Sequence, residues 1–520
     1  MLDNLALIAR LRADLLAADF RTTTVQALLG VDADEARERG VFAPARRVLA
    51  ARAPSALRTL VRVFSLAETV PLEEVARALP ALGVAGAMRL GLVESRGESV
   101  RAAIALTPVL VSDPHEAEPC AWWILSDLGD EARGGPARTD HVMGVGGATR
   151  ALIAQAPPGP VARALDLGTG CGVVALHLAR RGPVVATDLS ARALRFARAN
   201  AAVNAVTGIE FRQGDLFAPV SGEQFDLILS NPPFVISPRR DDGERYAYRD
   251  AGLVGDELAA RVVREAGTFL REGGTALCLA NWESSWGTDG LGRVREWIEA
   301  GARELAGSGG LAAWVIERDR VSPARYAETW ARDGGARTGT STFDELMHAW
   351  LDDFASRRVV ALGLGSVRLR RLRVATGEGP IVHLERASGA LGERAGVSLS
   401  RAFDAGIQAA EADDATLLGS RWVRVDEVRE EREHTPGEEA PRAIALRSDA
   451  GISRRITVDP LLAAAVGACD GELTLRQIAD ALASLLEVEP EATREAVLSG
   501  VRELAWLGVL EPLTSHAPVD

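Results

Sequence analysis

Short apolar segments alternate with helical segments between about residues 140 and 374, and this alternation constrains the fold more than any other feature of the chain. Buried parallel strands read as short hydrophobic runs, and consecutive parallel strands need a crossover helix. The pattern therefore predicts an α/β domain with a mostly parallel, seven-stranded sheet. The predicted strands are residues 164–167, 184–188, 209–213, 225–230, 275–280, 312–316 and 359–372.

Two parts of this domain depart from the plain alternation. Residues 322–354, between the last two strands, have helical spacing and are predicted to form an insertion. The final strand carries Arg368, Arg370 and Arg371, which indicate a solvated edge strand.

The region before the α/β domain has the outline of a winged helix. Three helical segments, at about residues 57–64, 71–75 and 83–91, precede a predicted hairpin of residues 92–95 and 103–106. Because none of these helices is basic, a packing role is favoured over docking on nucleic acid.

The region after the α/β domain begins with a charged segment, residues 427–433, that indicates a solvated connector. Helices at residues 473–482 and 497–504, followed by a strand at 507–511, then predict a second winged-helix-like unit. The predicted division is an N-terminal helical domain at 1–137, the α/β domain at 138–376, a connector at 377–440 and a C-terminal helical domain at 441–520.

Composition excludes several classes of protein. No apolar run reaches the roughly 18 residues that cross a bilayer, and residues 1–20 lack the organisation of a signal peptide, so we expect a cytoplasmic protein with no membrane partner. The four cysteines are scattered, which predicts no metal site. The net charge of −13 argues against a protein that coats nucleic acid nonspecifically. All 59 basic side chains are arginine, which excludes a Schiff-base lysine.

A glycine-rich turn follows the first predicted strand of the α/β domain. The strand ends near Asp166, and a turn with glycines at 168, 170 and 172 opens a helix. Glycine lets the backbone bend sharply and approach a ligand, and the helix N-terminus supplies free N–H groups. The second strand ends in Asp188, about 20 residues further on, where a carboxylate can accept both hydroxyls of a ribose. Together these features predict a site for an adenosine-containing ligand.

The fourth strand ends in a second motif, Asn231-Pro232-Pro233-Phe234. The spacing Asp-x-Gly-x-Gly-x-Gly resembles motif I of class I methyltransferases that use S-adenosylmethionine. The Asn-Pro-Pro-Phe tetrapeptide resembles the signature of the small-domain group, whose members methylate an amino group on a planar system: N6 of adenine, N2 of guanine or N5 of glutamine. The resemblance implies a Rossmann-like fold and S-adenosylmethionine as cofactor.

The resemblance also implies residue roles. The implied catalytic residues are Asn231, Pro232, Pro233 and Phe234. The implied cofactor-binding residues are Asp166, Gly168, Thr169, Gly170, Cys171, Gly172, Asp188, Leu189, Asp215, Leu216 and Asn231.

The chemistry of the tetrapeptide agrees with this role. An NH2 group on a planar system is a poor nucleophile because its lone pair is delocalised. The Asn231 amide oxygen and, on the family pattern, the Pro232 carbonyl can each accept one of its hydrogens, which favours the pyramidal geometry of the transition state. The prolines hold the acceptors in place, and Phe234 offers a face for stacking. No strong base is needed.

Two flanking segments are predicted to close the site. Residues 142–149 lie where family members cover the cofactor, and residues 249–256 border the substrate. Asp241, Asp242 and Asp250 are interpreted as solvated loop charges, and His141 and His177 as ordinary structural residues.

The predicted function is N-methylation of a planar NH2 group on a macromolecule, and protein amide and RNA or DNA base both stay open. The acidic composition favours protein slightly. Two alternatives stay open as well: a non-catalytic, cofactor-binding regulator that acts through the terminal domains, and a small-molecule methyltransferase.

Overall fold

The structure, a computed structural model, describes residues 2–111, 119–133, 138, 140–233, 235–238, 254–305, 309–373 and 379–513. Within these ranges, none of the helices combines the length and the apolar character needed to span a bilayer.

The N-terminal region is helical and ends in two hairpins. Its helices are α1 Leu5–Ala17, α2 Thr22–Leu29, α3 Val31–Glu38, α4 Ala43–Ala50, α5 Ala56–Leu60 (continued by a π-helical turn, Val61–Ser65), α6 Leu72–Ala78, α7 Gly83–Leu90 and, after the strands, α8 Asp130–Arg133. Its strands are β1 Val70–Pro71, β2 Val93–Arg96, β3 Ser99–Ala102, β4 Ala105–Val111 and β5 Cys120–Ser126. Strands β1, β3 and β2 form one small sheet, and β4 and β5 form an antiparallel pair.

The first hairpin is tighter than predicted. Strand β3 begins at Ser99, because Gly97 adopts a φ of +69° and turns the chain directly after β2. Residues 105 and 106, placed in this hairpin by the sequence pattern, belong instead to β4.

The α/β domain is built on one eight-stranded sheet. Its strands are β6 Ala164–Leu167, β7 Val184–Asp188, β8 Ile209–Gln213, β9 Phe225–Ser230, β10 Leu270–Ser285, β11 Gly310–Val321, β12 Val359–Leu372 and β13 Ile381–Arg386. Its helices are α9 Gly147–Ala154, α10 Val173–Leu178, α11 Ala191–Val203, α12 Glu257–Ala266, α13 Gly290–Glu304, α14 Pro323–Asp333 and α15 Ser341–Ser356, and the short 3₁₀ turns are Ala218–Val220 and Gly267–Phe269. The strand order is β13-β11-β12-β10-β9-β6-β7-β8. All neighbouring pairs are parallel except the two that β12 makes.

The prediction of a Rossmann-like, mostly parallel sheet is confirmed, but the predicted number of seven strands is wrong. Strand β13 adds an eighth strand beside β11, inside the segment predicted to be a connector. Its residues are mostly half-buried, so the segment lacks the continuous apolar run of an inner strand.

Strand β12 is not a solvated edge, as its arginines suggested, but lies between β10 and β11. Arg368 is 2% exposed, and its Nη2 donates to the Gln155 carbonyl at 2.8 Å. Arg371 donates to the Leu270 carbonyl at 2.7 Å, and Arg370 pairs with Asp404. The arginines of this strand therefore bond to backbone carbonyls and to one carboxylate of the protein.

The C-terminal region packs against the far end of the sheet. Its helices are α16 Ala395–Glu411, α17 Asp414–Gly419, α18 Pro460–Gly467, α19 Leu475–Leu486 and α20 Pro490–Trp506. Its strands are β14 Arg421–Arg424, β15 Arg429–Glu433, β16 Ala443–Ser448, β17 Arg454–Val458, β18 Asp470–Thr474 and β19 Leu510–Pro512. They form two three-stranded sheets, β18-β14-β19 and β15-β16-β17.

Residues 379–440 of the segment predicted to be a connector therefore contain helices and strands. Helix α16 buries Leu399 and Phe403 in a core that includes Trp314 of β11 and Trp506 of α20. Gly406 allows this packing, because a Cβ there would lie 2.3 Å from the Trp506 ring. One part of the prediction is confirmed: the charged residues of 429–433 face water, because they form β15, an exposed strand at the edge of its sheet.

Candidate active site

The glycine-rich turn joins β6 to α10 in a conformation that needs glycine. Gly168, Gly170 and Gly172 have φ values of +78°, +54° and +87°, a region that side chains rarely tolerate. The turn is held against β7, because the N–H groups of Gly168 and Thr169 donate to the Thr187 carbonyl at 3.0 and 2.8 Å. A Cβ on Gly172 would also lie 2.8 Å from that of Ala197 on α11. The turn therefore exposes its backbone at the carboxyl end of the sheet.

Asp166 and Asp188, at the ends of β6 and β7, are buried carboxyl groups beside this turn. Asp166 accepts from the Thr169 hydroxyl at 2.5 Å, and burial raises its pKa to about 7. Asp188 accepts from the N–H groups of Gly170 and Ser190 at 2.9 and 2.8 Å, and burial raises its pKa as well. Both carboxyl groups therefore lie beside the turn at the carboxyl end of the sheet, where they can accept from the hydroxyls of a ligand.

The back of the turn is supported by a residue that the sequence did not indicate. Asn200 on α11 is fully buried, and its Nδ2 donates to the Cys171 carbonyl at 2.8 Å and to the Leu125 carbonyl at 2.9 Å. Its Oδ1 accepts from the Leu125 N–H at 2.7 Å. Asn204 forms the equivalent pair with Trp123 of β5. The β4–β5 pair of the N-terminal region is therefore tied to the glycine-rich turn through α11.

Asn231 follows β9 on the opposite side of the turn. The preceding Ser230 is fixed by donation from its hydroxyl to the Leu167 carbonyl at 2.9 Å. Asn231 Nδ2 donates to the Thr149 hydroxyl at 3.2 Å. Its Oδ1 is buried and accepts no hydrogen bond from any residue within the described ranges. An unsatisfied buried acceptor is unfavourable, which marks this oxygen as a position for an incoming donor.

A cavity of about 400 Å³ joins these elements. It is lined by most of the residues that the sequence singled out: Asp166, Gly168, Thr169, Gly170, Cys171, Asp188, Leu189, Asp215, Leu216, Asn231, Pro232 and Pro233. Gly172 is not on its wall but packs behind it against α11. Phe234 and residues 249–253 lie outside the described residues, as do Asp241, Asp242 and Asp250.

One side of the cavity is formed by residues 140–144, and a clamp holds this strap in place. Asp127, just after β5, accepts from the Val142 N–H at 2.7 Å and from both terminal nitrogens of Arg192 on α11. Arg192 also donates to the Asp140 carbonyl at 3.0 Å. His141, interpreted as an ordinary loop residue, lines the cavity with its ring 3.6 Å from Asp127. Asp127 had no signal in the sequence, because it lies outside every predicted motif.

The helical insertion packs beside the second motif. Tyr326 of α14 is buried, and its hydroxyl accepts from the Ile236 N–H at 3.1 Å and from Asn281 Nδ2 at 2.8 Å. Val235 and Ile236 share a core with Tyr326, Trp350 and other residues of α14 and α15. The insertion therefore borders the chain two residues after the Asn-Pro-Pro-Phe motif.

The described residues contain no cluster of histidine, cysteine and carboxylate side chains that could hold a metal ion.

Two family models match parts of the chain. Residues 143–286 match the model described as "Methyltransferase small domain", and this span includes the glycine-rich turn, Asp188 and Asn231. Residues 17–103 match the model described as "Domain of unknown function (DUF7059)". The resemblance drawn from the motifs is thus confirmed for residues 143–286, which match a family of methyltransferases that use S-adenosylmethionine.

The chain is similar to two kinds of glutamine methyltransferase. The release factor glutamine methyltransferase of Xylella fastidiosa (strain 9a5c) is 35% identical over 177 residues, which are 31% of this chain and 59% of the relative. A ribosomal protein uL3 glutamine methyltransferase of Xanthomonas campestris is 35% identical over 127 residues, 23% of this chain and 41% of the relative. Among solved structures, ribosomal protein L11 methylase from Lactobacillus delbrueckii subsp. bulgaricus is 22% identical, covering 31% of this chain and 70% of that chain with a TM-score of 0.23. The chain spans about three fifths or less of the length of these two relatives.

Proposed function

We propose that this protein is an S-adenosylmethionine-dependent N-methyltransferase whose acceptor is a planar amide NH2 group on a protein, of the glutamine side-chain type. The observation that carries the proposal is the Oδ1 of Asn231, a residue that lines the cavity: this oxygen is buried and accepts nothing from the described residues. An acceptor oxygen in that position is suited to an NH2 group, which has two hydrogens to donate.

Several features of the cavity fit S-adenosylmethionine. Its volume of about 400 Å³ lies in the range of small-molecule sites, about 300–1,000 Å³. The positive-φ glycines of the turn allow a ligand to lie against the backbone, and Asp166 and Asp188 can balance a cationic ligand and accept from ribose hydroxyls. On the family pattern, Asp215 and Leu216 would border the adenine ring, and both line the cavity.

The chain's own residues would activate the acceptor rather than the methyl donor. When bound, S-adenosylmethionine supplies a methyl group on a sulfonium, and the sulfur keeps the electron pair of the broken C–S bond. Asn231 Oδ1 would accept one hydrogen of the acceptor amide, and the Pro232 carbonyl the other. These two bonds favour a pyramidal nitrogen with a localised lone pair. The nitrogen then releases one proton to solvent, so no buried base is required.

A protein acceptor is favoured over a base of RNA or DNA. The relatives are named for glutamine methylation of release factors and of ribosomal protein uL3. The net charge of −13 opposes the counterion release that favours binding to nucleic acid. The chain keeps both carboxylates, the positive-φ turn and the unpaired amide oxygen. A regulator that had lost catalysis would not need the unpaired oxygen, so these features argue against that alternative.

The terminal regions are proposed to serve the methyltransferase domain. Part of the N-terminal region follows the order of a winged helix. This part consists of three helices, α5 to α7, with the short strand β1 and the hairpin of β2 and β3. This region shares one hydrophobic core with the methyltransferase domain, which includes Leu15 of α1 and Phe196 of α11. We therefore propose that it acts first as a structural partner of the domain. The C-terminal region contains a comparable helix-strand-helix-helix-strand order, and we propose the same role for it.

Labelling of a cell extract tests the proposed acceptor class. An extract of the host strain that lacks this gene is incubated with the purified protein and S-adenosylmethionine carrying a tritiated methyl group, and portions are digested with protease or with nuclease. The proposal predicts label that protease releases and nuclease does not, located by mass spectrometry on glutamine. Asn231→Ala protein is the matched control and should incorporate only background label. Label that nuclease releases would overturn the proposed acceptor.

A further inference from the structure

The Asn231 amide is held by a residue from another element, Thr149 of α9. Asn231 Nδ2 donates to Thr149 Oγ1 at 3.2 Å, which is the only side-chain hydrogen bond that Asn231 makes to a residue in the described part of the chain. The oxygen and nitrogen of a side-chain amide differ in chemistry but hardly in shape. Because the Thr149 hydroxyl can donate as well as accept, this contact fixes the place of the amide, and the N–H groups of the acceptor then select its oxygen.

We propose that Thr149 is a positioning residue that anchors the side-chain amide of Asn231, so that its Oδ1 can accept from the amino group to be methylated. This inference rests on the proposed function and adds a specific role to it. With Nδ2 bound to the Thr149 hydroxyl, Oδ1 stays free to accept. In the opposite orientation, Nδ2 would face the N–H groups of the acceptor, and donor would oppose donor.

Thr149 is well placed for this role because α9 is fixed on both sides. Thr149 is only 9% exposed and lines the cavity. The chain before α9 is clamped where Asp127 accepts from the Val142 N–H. At the other end, the buried Arg368 of β12 donates to the Gln155 carbonyl, directly after the helix. The hydroxyl is thus held in place by groups from two different parts of the protein.

Loss of the hydroxyl should affect transfer and not cofactor binding. Thr149→Val keeps the branched shape but removes the acceptor for Nδ2, so that the amide can turn to find another partner. Because a small misplacement of a catalytic group can lower a rate about 100-fold, we expect methyl transfer to fall about 10- to 100-fold. Cofactor affinity should stay within about threefold, because the change leaves Asp166, Asp188 and the glycine-rich turn intact.

The first experiment compares three variants of the full chain by single-turnover transfer to purified release factor of the host and by calorimetric binding of S-adenosylhomocysteine. Thr149→Ser restores the hydroxyl and should recover transfer to within about fivefold of the wild-type rate. Thr493→Val is the matched control, since it removes a buried helical hydroxyl that donates to the Glu489 carbonyl away from the cavity. Wild-type transfer by Thr149→Val, or equal defects in the Val and Ser variants, would overturn the proposal.

The second experiment does not depend on the acceptor. With asparagine labelled by ¹⁵N, the side-chain NH2 of Asn231, assigned by its loss in Asn231→Asp, should give two separate hydrogen signals in the wild type. Thr149→Val should shift both signals, and Thr149→Ser should return them to near their wild-type positions. Unchanged signals in Thr149→Val would overturn the inference. If no release factor is methylated but the signals respond as expected, the proposed acceptor fails and the positioning role stands.

Discussion

Asn200 and Leu125 exchange two hydrogen bonds across the junction between the N-terminal region and the methyltransferase domain, at 2.7 and 2.9 Å. The same Nδ2 group of Asn200 donates to the Cys171 carbonyl in the cofactor turn at 2.8 Å. One buried amide therefore satisfies strand β5 and the turn together. This contact makes the N-terminal region part of the wall behind the candidate active site.

Replacement of Asn200 by alanine should weaken cofactor binding as well as stability. Three buried backbone groups would lose their partner, and each unsatisfied group costs about 1–3 kcal/mol. We expect the free energy of unfolding to fall by at least about 3 kcal/mol and the Kd for S-adenosylhomocysteine to rise about tenfold.

The matched control for this prediction is Asn204→Ala. Asn204 ties α11 to Trp123 of β5 in the same way but makes no contact with the turn. This variant should lose a similar amount of stability while its Kd stays within about twofold. Equal increases in Kd for the two variants, measured by calorimetry, would show that Asn200 acts only through the stability of the fold.

Cofactor affinity should depend on the protonation of Asp166. Burial raises the pKa of Asp166 to about 7, so the carboxyl group is protonated below that pH. S-adenosylmethionine carries a sulfonium and an ammonium, and its charge favours the ionised carboxylate. Binding should therefore release a proton, and affinity should rise with pH between about 5 and 7 and then level off.

Calorimetry in buffers of different ionisation enthalpy measures this proton release. Asp166→Asn should bind more weakly and lose most of the pH dependence, and Asp188, whose pKa burial also raises, accounts for the remainder. In the unliganded protein the sign is opposite: the raised pKa contributes stability that is complete below pH about 4 and is lost as the pH rises through about 7. An affinity that falls with pH over this range would contradict the assignment.

Tyr326→Phe should slow methyl transfer, because Tyr326 holds the segment that follows the Asn-Pro-Pro-Phe motif. The variant leaves the Ile236 N–H and the Asn281 side chain without their acceptor, which costs about 1–3 kcal/mol for each buried group. We expect a fall of about tenfold in the single-turnover rate with little change in cofactor Kd. Trp350→Phe trims another buried ring of the same core as a control. The same loss of rate in both variants would mean that general packing is responsible.

Local sequence determined those parts of the fold that depend on neighbouring residues. Strands β6 to β9 begin and end where the sequence placed them, and glycine or proline stands directly beside three of the four. The glycine-rich turn and Asn231 were recognised for the same reason. The turn and Asn231 line one cavity because the carboxyl ends of parallel strands meet at the same edge of the sheet.

The parts that the sequence did not reveal depend on contacts between distant segments. Arg368 reads as solvated until β12 is placed between β10 and β11, an order that the chain sequence does not specify. Asp127 and Asn200 act on segments about 15 to 75 residues away, and neither belongs to a local motif. Helix α16 was overlooked because its buried face is rich in alanine and glycine rather than in large apolar residues.

The central claim is that Asn231 Oδ1 accepts a hydrogen from the group to be methylated. Its most direct test compares cofactor binding and single-turnover methyl transfer in Asn231→Ala and Asn231→Asp. Loss of one such hydrogen-bonding group lowers a rate by about 100- to 1,000-fold, and we predict this loss in Asn231→Ala, with cofactor Kd within about threefold of wild type. Transfer by Asn231→Ala at a rate near that of the wild type would contradict the account.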